Sequence, residues 1–243
     1  AGRNFPTEVY WGDTHLHTGM SFDAGSFGAR LLPRDAYRFA RGEEVTTSGG
    51  LPFKLSRPLD WLVVADHSDG MGAMKEIIAG NPNLLKDATV KEWHAAIRKG
   101  GETAFKTTME VILAFTEGKV PAVVLDRTFQ QTVWDDYIEI ADRYNEPGRF
   151  TAMIGYEWTS TEKGNNLHRN VLYRDGGDRA RRMVPYTTAE SFNPEDLWKW
   201  MGRYEEATGG QVLALAHNGN LSNGIMFPVE RNPATGKRLS KDY

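Results

Sequence analysis

Two histidines and an aspartate in the stretch from Trp11 to Thr18 have the side chains and the spacing of a metal site. The segment reads Trp-Gly-Asp-Thr-His-Leu-His-Thr. Because side chains alternate along a β-strand, Asp13, His15 and His17 would leave the same face. Imidazole is the commonest protein ligand for transition metals, and two imidazoles roughly 7 Å apart along one strand face can converge on a single ion. The motif alone also fits two surface histidines on an edge strand, so both interpretations stay open here.

Further ionisable residues follow other predicted strands. The run from Pro58 to Ala65 is nearly continuously apolar, as in a parallel strand buried on both faces, and it leads directly into Asp66 and His67. Predicted strands at 150–158, 166–174 and 211–216 carry or precede Glu157, His168, Asn170 and His217, and the strand at 211–216 is expected to be buried. Enzymes with parallel α/β sheets hold their chemistry at the carboxyl ends of such strands.

The distribution of histidines favours a shared metal centre. Five of the six histidines lie at or near predicted strand ends, each beside a polar or acidic residue. In a parallel barrel these ends surround one mouth, so the five imidazoles can meet Asp66 and Glu157 there. The sequence has no cysteine, so the ligands must be His, Asp and Glu, which suits two or three divalent ions of zinc, manganese or iron. The sixth, His94, lies in a predicted helix and is interpreted as structural.

The predicted strands and helices that position these residues indicate one α/β domain over residues 1–243. A strand from Glu8 to His17 is followed by a loop over 19–28, which places Asp23 just beyond the strand end. Residues 43–56 are predicted to form a loop or a hairpin. A helical insertion over about 73–145 is expected to lie beside the site as a cap. The remaining predicted helices are Pro33 to Arg41 and Pro194 to about Thr208.

Composition excludes several classes of partner. With 29 basic and 32 acidic residues, the formal net charge is −3, so neither nucleic acid nor an anionic membrane is expected to bind. No apolar run approaches the roughly 18 residues of a membrane span. A cytoplasmic protein and one that begins after a removed signal peptide both remain compatible with the sequence.

The ordered motifs resemble a known superfamily. Asp-Thr-His-Leu-His-Thr, Val-Ala-Asp-His, Gly-Tyr-Glu-Trp, His-Arg-Asn and Ala-His-Asn-Gly occur in that order between Tyr10 and Gly224. This set is similar to the PHP superfamily of metal-dependent phosphoesterases. Tyr-Trp-Gly-Asp-Thr-His-Leu-His-Thr and Ala-Asp-His-Ser-Asp-Gly more narrowly resemble its uncharacterised branch catalogued as DUF3604. The resemblance implies a distorted (β/α)7 barrel with two or three metals at its mouth.

The resemblance also implies a division of ligands among the metals. His15 and His17 would hold the first metal, Glu157 would bridge it to a second held by His168 and His217, and Asp23 and His67 would hold a third. Asp23 stands where the superfamily often has a histidine. Asp66 is expected to support the neighbouring ligands or take part in catalysis.

The function expected is therefore metal-dependent hydrolysis of a small phosphorylated ester. Glu157 and Asp66 are the expected catalytic carboxylates, and Asn170 and Asn218 are expected to donate to substrate oxygens. Hydrolysis of a sulfate ester, a carboxylate ester or an amide on the same centre is an alternative, as is a metal-stabilised binding module without turnover.

We also expect that the barrel continues beyond these residues. PHP proteins usually close the site with an Asp-x-His pair on a late strand, and no histidine follows His217. About five strands are predicted where the resembling barrel has seven. A further C-terminal segment would then supply the last strands and the final ligands. The alternative is a family member that dispenses with this pair.

Overall fold

The computed structural model describes residues 7–241; residues 1–6 and 242–243, which the single-domain prediction also covers, lie outside the described residues. The strands within it are β1 Gly12–Leu16, β2 Val45–Thr46, β3 Pro52–Phe53, β4 Trp61–Val64, β5 Thr151–Met153, β6 Gly155–Trp158, β7 Thr161–Glu162, β8 Asn165–Asn166, β9 Arg169–Tyr173 and β10 Val212–Ala216. The helices are α1 Phe22–Ser26, α2 Pro33–Ala40, α3 Ala73–Ala79, α4 Ala88–Lys99, α5 Gly101–Thr116, α6 Arg127–Tyr144, α7 Gly177–Ala180 and α8 Pro194–Thr208.

Two three-stranded sheets position the candidate site. In one, β4 lies between β1 and β5 and all strands are parallel; in the other, β9 lies between β6 and β10 and pairs antiparallel with both. The segment 151–158 joins them, because β5 and β6 follow each other along it. This segment keeps the same register against residues 61–67 along its length, with Thr151 opposite Trp61 and Glu157 opposite His67. The single strand predicted over 150–158 is thus one segment that serves two sheets.

The described residues form several small sheets and no closed barrel. β1 and β10 are the outer strands of their sheets. β1 faces the second sheet across the interior, where Asn170 Nδ2 of β9 donates to the Thr14 carbonyl of β1 at 3.3 Å. A mixed α/β architecture is confirmed, whereas the predicted (β/α)7 barrel is not. The expectation of parallel strands throughout was wrong, because β9 runs antiparallel to its neighbours.

The core lies between the sheets and the helices on their outer side. Leu62 and Val64 of β4 face a large cluster formed with α2, α6 and α8, while Val63 and Ala65 face a small cluster with Leu172 on the inner side. This alternation explains the continuously apolar sequence of β4, since both of its faces are buried. β10 differs from the prediction of a buried strand, because Leu213 is 57% exposed.

The helical insertion has its own apolar core and reaches the site. Residues of α3, α4 and α5 pack together, and Phe115 of α5 stacks on Phe22 of α1 with ring centroids 5.1 Å apart. Phe22 in turn lies 4.8 Å from the ring of His67. The insertion is therefore beside the site, as the sequence predicts.

Helix ends follow the local sequence. Asn193 caps α8 by accepting from the Glu195 amide at 3.2 Å, Pro194 occupies the first turn, and Gly209 ends the helix with φ of 66°. The 43–56 region forms the hairpin β2–β3. The predicted loop over 19–28 contains the short helix α1, and the hairpin β7–β8 and helix α7 were not predicted. None of the helices within 7–241 has the length and apolarity needed to cross a membrane.

Candidate metal centre

A single buried carboxylate lies at the centre of the candidate site. Glu157, on β6, has no solvent exposure. Its backbone is fixed on both sides, because its amide donates to the Asp66 carbonyl at 3.0 Å and its carbonyl accepts from the Ser68 amide at 2.8 Å. Each of the five histidines predicted to converge has a ring nitrogen within 4 Å of one of the two Glu157 carboxylate oxygens.

Three histidines reach Glu157 from the β1–β4 side. Nε2 of His15, Nε2 of His17 and Nδ1 of His67 lie 3.3, 3.0 and 3.2 Å from Glu157 Oε2. The alternation predicted for β1 is confirmed for His15 and His17, whose rings share one face with centroids 4.9 Å apart. Asp13 is exposed instead, and its Oδ1 accepts from the His15 amide at 2.8 Å. Asp23 completes this side, with its two oxygens 3.3 Å from His67 Nε2 and 3.7 Å from His17 Nδ1.

The other two histidines come from the β9–β10 side. His168 Nδ1 lies 3.1 Å and His217 Nε2 lies 3.7 Å from Glu157 Oε1. The antiparallel pairing explains their meeting, because His168 precedes β9 and His217 follows β10, and the His217 amide donates to the His168 carbonyl at 3.2 Å. The His217 ring also lies 4.6 Å from that of His15, so the two outer strands meet at the cluster.

Arg169, although charged and adjacent to His168, points away from the cluster. Its guanidinium donates to the carbonyls of Leu167, His168 and Met226 and to the Met226 sulfur. The period-two argument along β9 predicts this direction. His94 also lies apart, with Nδ1 2.7 Å from the Ile77 carbonyl, which confirms its structural interpretation.

Three polar residues that the sequence did not single out hold the histidine rings. Ser21 Oγ lies 2.8 Å from His17 Nδ1, and Thr159 Oγ1 lies 2.7 Å from His67 Nδ1. Asn166 contacts two histidines: its Oδ1 accepts from the His168 amide at 2.9 Å, and its Nδ2 lies 3.2 Å from His217 Nδ1. Each lies within four positions of a cluster residue in the sequence, which is the signal that could have identified it. Such partners fix the orientation and tautomer of a ligand imidazole.

The remaining predicted catalytic residues surround the cluster. Asp66 is buried behind it, accepting from the Thr18 amide and hydroxyl at 2.5 and 2.6 Å and from the Tyr137 hydroxyl at 3.3 Å. This geometry fits the supporting role predicted for Asp66, because it ties the end of β1 to the end of β4. Asn170 is buried and its Oδ1 has no hydrogen-bond partner. Asn218 is exposed, and its Oδ1 accepts from the Asn220 amide at 3.1 Å.

Burial and the neighbouring charges shift the pKa values of four residues in the cluster. Burial lowers the pKa of His17, but the neighbouring carboxylates of Asp23 and Glu157 outweigh burial and raise it to about 10. Burial raises the pKa of Glu157, yet the surrounding imidazoles hold it well below its usual value, and the pKa of Asp23 is lowered by His17 and His67 in the same way. For His168 burial dominates and lowers the pKa. These shifts favour a cation beside the two carboxylates, either a protonated imidazole or a metal ion.

The residues fit divalent metal ions. Glu157 Oε2 is buried without a hydrogen-bond partner, although three ring nitrogens surround it. The Nε2 atoms of His15 and His17 are only 2.9 Å apart, so they either share a proton or direct lone pairs at a common cation. Three ligand sets have all their donor atoms within 4.8 Å of one another, namely His15, His17 and Glu157; His17, Asp23 and His67; and His67, Glu157 and His168.

These sets differ in part from the division implied by the resemblance. His15 with His17, and Asp23 with His67, are grouped as expected, and Glu157 belongs to two sets, as a bridging carboxylate would. His17 and His67 are each shared between two sets. His217 is brought to the cluster but belongs to none of the three.

Comparison with known proteins gives a family and no function. A family model described as "Protein of unknown function (DUF3604)" matches residues 4–243, so the chain belongs to the DUF3604 family. Neither the curated proteins nor the solved structures contain a match.

Proposed function

We propose that this member of the DUF3604 family is a metal-dependent hydrolase of the PHP type that cleaves phosphate esters. The observation that carries the proposal is Glu157, a fully buried carboxylate within 4 Å of five imidazoles and with one oxygen left without a hydrogen bond. Burying a charge is costly unless it is paired or coordinates a metal. Protonated imidazoles could pair with Glu157, but five rings around the carboxylates of Glu157 and Asp23 exceed what charge balance requires.

The chemistry of the donors narrows the cofactor. Nitrogen and carboxylate ligands without thiolate suit zinc, manganese or iron, and we propose that two or three such ions are held by His15, His17, Asp23, His67, Glu157 and His168, with His217 beside them. Divalent ions held there supply Lewis acidity, which lowers the pKa of water towards about 7 and stabilises charge on the oxygens of the ester.

The protein's own residues have defined parts in this proposal. Glu157 holds both halves of the centre together, because its two oxygens face different histidines. Ser21, Thr159 and Asn166 hold the rings in place. We assign donation to substrate oxygens to the exposed Asn218 and a positioning role to the buried Asn170, since the Asn170 amide donates to the Thr14 carbonyl.

A panel of chromogenic esters tests the proposal. The protein is stripped with chelator, reloaded with Mn²⁺ or Zn²⁺, and assayed with 4-nitrophenyl phosphate, bis(4-nitrophenyl) phosphate, 4-nitrophenyl sulfate and 4-nitrophenyl acetate. We expect metal-dependent release of 4-nitrophenol from a phosphate ester, lost in His17→Ala and retained in the matched control His94→Ala.

Two results would overturn the proposal in different ways. Preferential cleavage of the sulfate or carboxylate ester would keep the hydrolase and exclude phosphoesterase activity. A metal-loaded protein that cleaves none of the esters would favour the binding module without turnover.

A further inference from the structure

An apolar cavity of about 330 Å³ adjoins the candidate metal centre. It lies among the end of β1, the segment 29–32, helix α2 and the hairpin β2–β3. Most of its lining is aliphatic or aromatic; the lining residues are Leu16, His17, Thr18, Ala29, Leu31, Leu32, Asp35, Ala36, Phe39, Val45, Thr47, Ser48 and Phe53. His17 links the two sites, because it lines the cavity and also lies 3.0 Å from Glu157.

Hydrogen bonds of backbone groups and of a serine hydroxyl fix the walls of the cavity. The Gly19 amide donates to the Leu31 carbonyl at 2.7 Å, which ties one wall to the end of β1. The Arg30 amide donates to Ser48 Oγ at 3.0 Å, which ties the same segment to the β2–β3 hairpin. A cavity anchored to two elements in this way is formed before a ligand arrives, as small-molecule sites usually are.

An aromatic pair forms the outer wall. Phe53 on β3 stacks on Phe39 of α2 with ring centroids 5.3 Å apart, and Phe53 remains 57% exposed. A large exposed aromatic beside an aliphatic cavity leaves apolar surface in water, and covering that surface with a ligand is favourable. The volume is ample for one ring, since an apolar cavity of about 150 Å³ binds benzene.

We infer that this cavity binds an apolar group of the substrate, an aryl ring or a short alkyl chain, while the ester reaches the metal centre past His17. The inference rests on the proposed function for the ester. It adds the substrate class: an aromatic or alkyl phosphate rather than a sugar phosphate or another strongly hydrated one. Among the described residues that line the cavity, only His17 and Asp35 are ionisable, and Asp35 accepts from the Leu32 amide at 3.2 Å, so the lining offers few charged groups to a strongly hydrated substrate.

Binding of a neutral probe tests the cavity without relying on turnover. Fluorescence of 2-naphthol is titrated with the metal-stripped protein and with three variants. Phe53→Ala removes the outer wall, Ala29→Phe fills the cavity, and Phe105→Ala is the matched control, a phenylalanine 60% exposed on α5. We expect saturable binding, weakened about fivefold or more in Phe53→Ala and in Ala29→Phe, and unchanged in Phe105→Ala.

A second measurement connects the cavity to the metal centre. Phenylphosphonate and methylphosphonate are compared by calorimetry on the metal-loaded protein, and we expect phenylphosphonate to bind about tenfold tighter, a preference that Phe53→Ala reduces. Equal affinity for the two phosphonates, or naphthol binding indifferent to both cavity variants, would overturn the inference. Naphthol binding that depends on Phe53 while neither phosphonate binds would instead overturn the proposed phosphoesterase function and leave the cavity as an apolar site.

Discussion

The two sides of the candidate metal centre differ in how closely their histidines approach Glu157 and in how many ligand sets include them. On the β1–β4 side, His17 contacts His15, Ser21 and Glu157, and it belongs to two of the three ligand sets. On the β9–β10 side, His217 lies 3.7 Å from Glu157 and belongs to none. From this contrast we expect the first side to hold metal more firmly than the second. Substitutions on the two sides should therefore have unequal effects.

The largest effect is expected at Glu157, where the two sides meet. In Glu157→Gln an amide of the same size replaces the charge and binds metal far more weakly. We expect both metal content and turnover to fall, with hydrolysis reduced more than about 100-fold. Metal analysis and kinetics on the same preparation check this. A variant that keeps every metal and loses only turnover would show that Glu157 is an acid or base and does not bridge.

The next largest effect is expected on the β1 side. His15→Ala and His17→Ala each remove a ring nitrogen facing Glu157, so we expect loss of metal-dependent activity in a protein whose far-ultraviolet circular dichroism is unchanged. His94→Ala is the control, because that ring contacts the Ile77 carbonyl outside the cluster. Full activity in either β1 variant would disprove the site assignment.

A smaller effect is expected from the β9–β10 side. In His217→Ala we expect the metal content to stay close to that of the parent protein and turnover to fall about tenfold, because this ring lies beside the ligand sets rather than within them. The comparison is made with His17→Ala under the same conditions. If His217→Ala loses as much metal as His17→Ala, the two sides are equivalent and the contrast between them is wrong.

The smallest effect is expected at Asn166, which orients rings without facing Glu157. Asn166→Ala removes the contacts to the His168 amide and to the His217 ring, and we expect turnover to fall by less than about tenfold, with metal content and fold intact. Asn83→Ala, at an exposed position outside the cluster, is the control. Unchanged turnover in Asn166→Ala would show that the β9–β10 side does not depend on this support.

The two sides also differ in how well the sequence predicts them. On the β1–β4 side, the alternating spacing of His15 and His17 and the apolar run before His67 are enough to predict the strands. Both signals are local in the sequence. Glu157 was predicted as a ligand, but the division of 150–158 between two sheets was not, since that depends on pairing with distant strands. The antiparallel direction of β9 is likewise a property of tertiary pairing, and it was predicted incorrectly.

The roles of the supporting residues and the presence of the apolar cavity could not be predicted from the sequence, for a related reason. Asn166 is a common polar residue, and its role becomes visible only when its distances to His168 and His217 are known. The cavity is formed by segments around β1, α2 and the β2–β3 hairpin, none of which has an unusual composition. Convergence of residues far apart in sequence is determined by the fold, so these features require coordinates.

Metal stoichiometry tests the central claim most directly. The protein is stripped with chelator, reconstituted with Mn²⁺ or Zn²⁺, freed of unbound metal by gel filtration and analysed by inductively coupled plasma mass spectrometry beside His94→Ala and Glu157→Gln. The account predicts two or three divalent ions per chain in the parent protein and in His94→Ala, and fewer in Glu157→Gln. A parent protein that retains no divalent ion, or a Glu157→Gln variant that retains the full number, would contradict it.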